Sequence, residues 1–265
     1  MKQPTMFCRY ASIFSVFVCL MASGVNAGES PFSAVSCGGL YPHHLQGVCT
    51  DEEAAIFWSF TTMLVKTDAS GKVLKKIEVE NHHGDLCFQE GKIYVAVNLG
   101  KFNRPAGEAD SWVYVYQAED LAFLAKHVVP EVVHGAGGMA FRDGKFVVVG
   151  GLPEGVEENY AYLYDEDFGF LERQVIDSGY TKMGVQTLAF AEEKFWFGCY
   201  GGRTLKTDSE FFVQGNYAFD CALGVIGIGD GKILVARKTG GGKEQGGRLV
   251  VATIGEDGGL VVGEE

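Results

Sequence analysis

Five of the six histidines in this chain stand just ahead of short apolar runs: His43, His44, His82, His83 and His134. Neutral imidazoles gathered with a carboxylate can bind a divalent transition metal, or act as general acid and base near neutral pH. The candidate catalytic residues are therefore His44, His83, His134 and Asp85, and the same three histidines are the candidate metal ligands. Gln46 and Gln186 occupy equivalent points of their own runs and are expected to orient these groups or touch the ligand. Aligning Cys49 with Cys87 sets His44 opposite His82, whereas His134 aligns one residue earlier, with His43 and Asn81. The imidazoles are thus expected at neighbouring heights, not in one ring.

Cations form a second signal. Arg104, Arg203 and Arg237 lie on or beside loops, with Lys101 and Lys238 nearby. Guanidinium groups hold carboxylate, sulfate or phosphate through paired hydrogen bonds. On a chain of formal charge −12, such a cluster favours an anionic ligand and argues against non-specific nucleic-acid binding. Asn98 and Tyr200 complete the expected ligand-binding set. Phe102, Tyr200 and Trp112 offer a stacking surface for a sugar, while Trp58 and Trp196 fall inside apolar runs and read as core. Gly240-Gly241-Gly242 is not a phosphate loop, because no Gly-Lys-Ser/Thr sequence or helix follows it. No Ser/His/Asp order carries a nucleophile-elbow motif. Sequence spacing selects no carboxylate pair for glycoside hydrolysis, which depends on separation in space.

The elements that must position these residues are repeats. The run Leu86-Cys87-Phe88-Gln89-Glu90-Gly91-Lys92-Ile93 has counterparts at Met139 to Phe146, Leu188 to Phe195, Ile226 to Ile233 and, one residue longer at the turn, Val48 to Ile56. Each copy reads as a β-hairpin. Large residues (Val48, Leu86, Met139, Leu188, Ile226) are followed by small ones (Cys49, Cys87, Ala140, Ala189, Gly227). That pattern predicts an inner strand buried on both faces between stacked sheets. Four strands per unit are expected near 44–50, 56–60, 62–67 and 73–79, then 84–88, 92–97, 112–117 and 121–129. They continue at 137–141, 145–150, 160–165 and 169–176, then 185–190, 194–199, 203–207 and 210–214, and finally 222–228, 232–237, 248–254 and 259–262. Insertions fall at 98–111, 150–159 and 238–246. The fold class expected is all-β: a five-bladed β-propeller of four-stranded antiparallel blades. The rivals are a six-bladed propeller using residues 28–43, or a β-sandwich, which would not explain the matching inner strands.

The stretches His43 to Asp51 and Leu64 to Leu74 resemble blades of the NHL-type and gluconolactonase-like propellers. The likeness covers every unit loosely and the first best. It implies the propeller fold. The gluconolactonase-like enzymes use a Glu, Asn and Asp metal set around the axis; that set has no residue-by-residue match here, so their activity is not carried over.

Lys2 and Arg9, the apolar run Ala11 to Val25 and the small residues before Gly28 form a signal-peptide pattern over 1–27, leaving 28–265 as a single β-propeller domain. The expected product is secreted or periplasmic, free of the membrane once the signal is removed, and monomeric. Phe17-Val18 ahead of Cys19 argues against a lipoprotein anchor. Five cysteines remain, with Cys37 and Cys221 the one disulfide candidate, since first and last repeats meet in a ring. The functional expectation is an exported propeller binding a small polar, anionic ligand, a saccharide or organic acid or ester, at one face of the channel, with a divalent metal as candidate cofactor. A His- or metal-dependent hydrolase or lyase acting on an anionic carbohydrate, and a non-catalytic protein-interaction propeller, stand as alternatives.

Overall fold

The computed structural model describes residues 30–51 and 53–263; the expected signal peptide lies outside them. Two short strands come first, β1 (Val35–Ser36) and β2 (Tyr41–Pro42). Blade one follows as β3 (Leu45–Thr50), β4 (Ile56–Phe60), β5 (Met63–Thr67) and β6 (Val73–Glu78). Blade two is β7 (His83–Gln89), β8 (Lys92–Asn98), β9 (Ser111–Gln117) and β10 (Phe123–Val128), and blade three β11 (Ala136–Arg142), β12 (Lys145–Gly150), β13 (Asn159–Tyr164) and β14 (Phe170–Ile176). Blade four is β15 (Val185–Ala191), β16 (Lys194–Cys199), β17 (Arg203–Thr207) and β18 (Val213–Tyr217), and blade five β19 (Val225–Gly229), β20 (Lys232–Gly241), β21 (Glu244–Ile254) and β22 (Leu260–Val262). Each blade is an antiparallel meander. Successive inner strands touch in the order β3, β7, β11, β15, β19, and β19 touches β3 again, so the ring closes at five blades.

Closure uses both ends of the described chain. β2, β1 and β22 lie end to end along the outer edge of β21, through Tyr41 opposite Gln245, Val35 opposite Leu249 and Ala252 opposite Val262. The residues weighed for a sixth blade therefore complete the fifth. The 238–246 insertion is also more regular than its glycines suggested: β20 and β21 pair continuously out to Gly241 and Glu244, and the hairpin rises above the blade.

The large/small alternation becomes interlocking between blades. Cys49 packs with Leu86 of the next blade, Cys87 with Met139, and Ala140 with Leu188. A bulky side chain thus enters the space left by a small one, as close packing of sheet on sheet requires. The fifth copy departs from its expected register. Val225, not Ile226, packs with Ala189, while Ile226 and Ile228 turn toward Val48 across the closing seam. Moving a strand by one residue exchanges its two faces, and Val225 is apolar enough to fill the place assigned to its neighbour. Trp58 and Trp196 are fully buried, as expected.

All five described cysteines are free thiols. Cys37 belongs to the seam between blades five and one, whereas Cys221 packs with Trp196 and Val225 between blades four and five. The proposed disulfide is absent because the two thiols serve different layers.

Candidate functional site

Inner strands begin on one face of the ring, here called the upper face, and most of them change register near that end. The shift falls at Gln46 in β3, between His83 and Leu86 in β7, at Gly137 in β11 and at Gln186 in β15. Such a bulge turns a side chain out of the alternation that would bury it between sheets. Gln46 and Gln186 accordingly line an axial cavity of about 290 Å³, together with His44, His82, Asn98, Phe102, Met183 and Tyr200.

The centre of this cavity is an amide held between two imidazoles. Gln46 Nε2 lies 2.8 Å from His44 Nε2, 2.9 Å from His82 Nε2 and 3.3 Å from Thr61 Oγ1. An amide nitrogen only donates, so both rings accept at Nε2 and carry their proton at Nδ1. Burial lowers the pKa of both, reinforced by His43 for His44 and by His44 for His82. Two adjacent imidazoles in a poorly hydrated cleft disfavour charge on either. The pair is neutral at pH 7 and able to donate at Nδ1; either ring could take a proton from a ligand only at Nε2, in place of the Gln46 N–H.

A second cavity, about 500 Å³, adjoins the first at His44 and Tyr200 and is bounded by Asp220, Leu223, Arg237, Lys238 and Gln245. Arg237 is braced by the backbone carbonyls of Asp220 and Ala236 and lies over Phe219. Among the described residues, no carboxylate stands within ion-pairing distance of Arg237 or Lys238. On the other side, past Phe102 and Met183, a third cavity of about 440 Å³ is lined by Asn103, Arg104, Leu152, Glu154 and Tyr180.

The structure redistributes the expected site. His44, Gln46, Gln186, Asn98, Tyr200 and Arg237 meet at the two axial cavities, and Arg104 lies at the third. Asn98 also braces its own loop, accepting from the Asp110 N–H and donating to the Gly100 carbonyl, both at 3.0 Å. His83 does not reach the cavity. It is fully buried, its Nδ1 donates to the Glu80 carbonyl at 2.6 Å, and its Nε2 accepts from the Tyr116 hydroxyl at 2.8 Å. Burial lowers its pKa to about 4. Its neighbour His82 takes the place assigned to it, because adjacent side chains point to opposite faces. His134 faces the flank of the 98–111 loop, donating from Nδ1 to the Arg104 carbonyl at 2.8 Å. Arg203 is spent on structure, holding the carbonyls of Tyr180 and Ser178 at 2.5 and 2.6 Å and Asn216 Oδ1 at 2.8 Å. Trp112 donates to Asp110 at 2.7 Å and packs under Lys126, away from the cavities.

The metal expectation fails on geometry. Among the described residues, no three His, Cys, Asp or Glu side chains group to hold an ion. The histidine triad separates, and the amide of Gln46 stands between the two imidazoles that do meet.

Asp85 lies deeper on the axis and is almost wholly buried. Its Oδ2 accepts from the Leu188 N–H at 3.0 Å, and the N–H groups of Leu86, Val48 and Met139 also favour its ionised form. Desolvation outweighs them and raises its pKa well above the usual carboxylate range. A Cβ on Gly47 would overlap Asp85, so glycine is what lets the carboxyl cross the axis. Below it, Cys49, Cys87 and the inner-strand phenylalanines surround a separate lower cavity. Asp85 is thus an internal strut joining the inner strands, and the upper cavity ends above it.

Sequence reasoning missed Met183 and Gln245. His82 was within reach, since the alignment of Cys49 with Cys87 places it opposite His44.

No protein-family model matches this chain, and no curated protein matches it in sequence. Among solved structures it is similar to a glutaminyl cyclase from Myxococcus xanthus, with a TM-score of 0.54 and 14% identity over 83% of this chain and 99% of that one. It is also similar to a protein of unknown function from Bacteroides caccae, with a TM-score of 0.52 and 12% identity over 85% of this chain and 81% of that one. At such identities the likeness is one of fold, and with the closed ring it makes this chain a five-bladed β-propeller, related at fold level to the NHL-type and gluconolactonase-like propellers.

Proposed function

We propose that this chain is an exported binding propeller that takes a small polar, anionic ligand, a sugar acid or related organic acid, into the axial cavities of its upper face. One observation carries the reading: the neutral Gln46, His44 and His82 cluster adjoins a cavity walled by Arg237, Lys238 and Asp220, in which, among the described residues, neither cation is ion-paired. A carboxylate on the ligand would meet the cations, while hydroxyls would find the imidazole Nδ1–H groups and the side-chain amides. Export rests on the signal-peptide pattern at 1–27.

Isothermal titration with D-galacturonate tests the reading. A charge-assisted hydrogen bond contributes about 1.5–3 kcal/mol, so Arg237→Ala is expected to weaken binding roughly 10- to 100-fold. Absence of uronate binding, or equal affinity in wild type and variant, would overturn it.

Catalysis is a second reading, favoured by the neutral imidazole pair, which has the proton inventory of a general acid/base couple for a hydrolase or lyase. Because the Myxococcus xanthus neighbour is named a glutaminyl cyclase, cyclisation of an N-terminal glutaminyl peptide is the first turnover to assay, with His82→Ala as control. A rate equal in wild type and variant would remove the catalytic reading and leave binding intact.

A further inference from the structure

The three upper cavities adjoin one another in a row, and together they are here called the trough. The second shares His44 and Tyr200 with the axial cavity, and the third shares Phe102 and Met183 with it. One end carries Arg237 and Lys238 beside Asp220, the other Arg104 beside Glu154; the neutral amides and imidazoles lie between. Aromatic faces stand at both junctions.

The outer wall is built before any ligand arrives. In the 98–111 loop the Leu99 N–H donates to the Asp110 carbonyl at 2.9 Å and the Lys101 N–H to the Glu108 carbonyl at 2.8 Å. The Lys101 and Glu108 side chains pair at 2.8 Å. Asn103 ties this loop to the next blade: its N–H donates to the His134 carbonyl and its Oδ1 accepts from the Leu152 N–H, both at 3.0 Å. The Arg104 guanidinium is exposed at the tip of this framework.

Resting on the axial-cavity reading, we propose that the ligand is an oligosaccharide of acidic sugars lying along the whole trough, with separate carboxylates at Arg237 and Arg104 and the intervening ring over the Gln46 cluster. Sugar fits the lining better than peptide. Side-chain amides and imidazoles, which pair donor with acceptor, suit vicinal hydroxyls, and Phe102 and Tyr200 suit the apolar faces of sugar rings.

The test titrates three probes, D-galacturonate, trigalacturonate and the neutral maltotriose, into the full-length mature protein and its Arg104→Ala variant. Among the described residues the Arg104 side chain makes no hydrogen bond or ion pair, so the variant is expected to keep its structure, checked by circular dichroism. The expected result is trigalacturonate binding about tenfold or more tighter than the monomer, because linked subsites act at high effective concentration. Arg104→Ala should shrink that advantage by costing the trimer more affinity than the monomer, and maltotriose should bind more weakly than trigalacturonate. Monomer binding with no gain from the trimer, an Arg104→Ala loss equal for monomer and trimer, or maltotriose matching trigalacturonate would overturn the chain-ligand inference alone. Failure of every acidic probe would overturn the axial-cavity reading beneath it.

Discussion

Replacing Asp85 separates the axial strut from the ligand cavity above it. Alanine would strand the buried Leu188 N–H, whose 3.0 Å bond to Oδ2 is its link to the carboxyl, and a stranded buried donor costs roughly 1–3 kcal/mol. For a domain of this size each kcal/mol moves Tm by about 2–4 °C, so Asp85→Ala is expected to melt roughly 2–12 °C below wild type. Asparagine keeps an acceptor oxygen for Leu188 and cannot ionise. Desolvation raises the folded-state pKa of Asp85, so the folded protein holds this proton more tightly than the unfolded chain. The residue's favourable contribution is complete below its unfolded pKa and is lost as pH rises through the raised value. Asp85→Asn should therefore gain on wild type steadily as pH rises. Differential scanning calorimetry of the three proteins from pH 4 to pH 8 provides the assay. Equal melting of Asp85→Ala and wild type, or a gap between Asp85→Asn and wild type that does not widen with pH, would show that Asp85 is not a buried strut with a raised pKa.

His83 should impose the opposite slope. Its folded pKa of about 4 lies below the ordinary imidazole value of 6.5, so its contribution is present above pH 6.5 and is lost as pH falls through 4, to about 3 kcal/mol in all. His83→Gln should flatten the acid limb of the melting curve, and an unchanged limb would show that the ring is solvated. Between blades three and four, Ala140 faces Leu188 and Phe195. Ala140→Leu should cost about 1–3 kcal/mol by overpacking, read as a lower urea midpoint; an unshifted midpoint would mean the interlock has slack. In the binding assay, Arg237→Ala is expected to lose roughly 10- to 100-fold in affinity for a uronate.

How much of the site was legible follows from particular residues. Gln46 and Gln186 could be paired from sequence because both precede the same large/small motif. The choice between His82 and His83 could not be made by counting, since the register shift in β7 decides which ring faces the axis. Arg203 and Arg237 looked alike on their loops. Three acceptors absorb the first, while the second is braced by two carbonyls beside an open cavity. Ile226 was placed one residue out because Val225 is equally apolar, and only packing against Ala189 distinguishes them.

By itself, the sequence determined the repeated hairpins and the gathering of polar strand-starts on one face, because the alternation of large and small residues permits few ways of stacking sheets; five blades over six was decided by β1 and β2 pairing with β21. Tertiary structure alone decided which of those polar groups meet. A bulge, a glycine that lets a carboxyl cross the axis, or a hairpin long enough to wall a cavity each turns on contacts between blades far apart along the chain. Such contacts leave no local period to read.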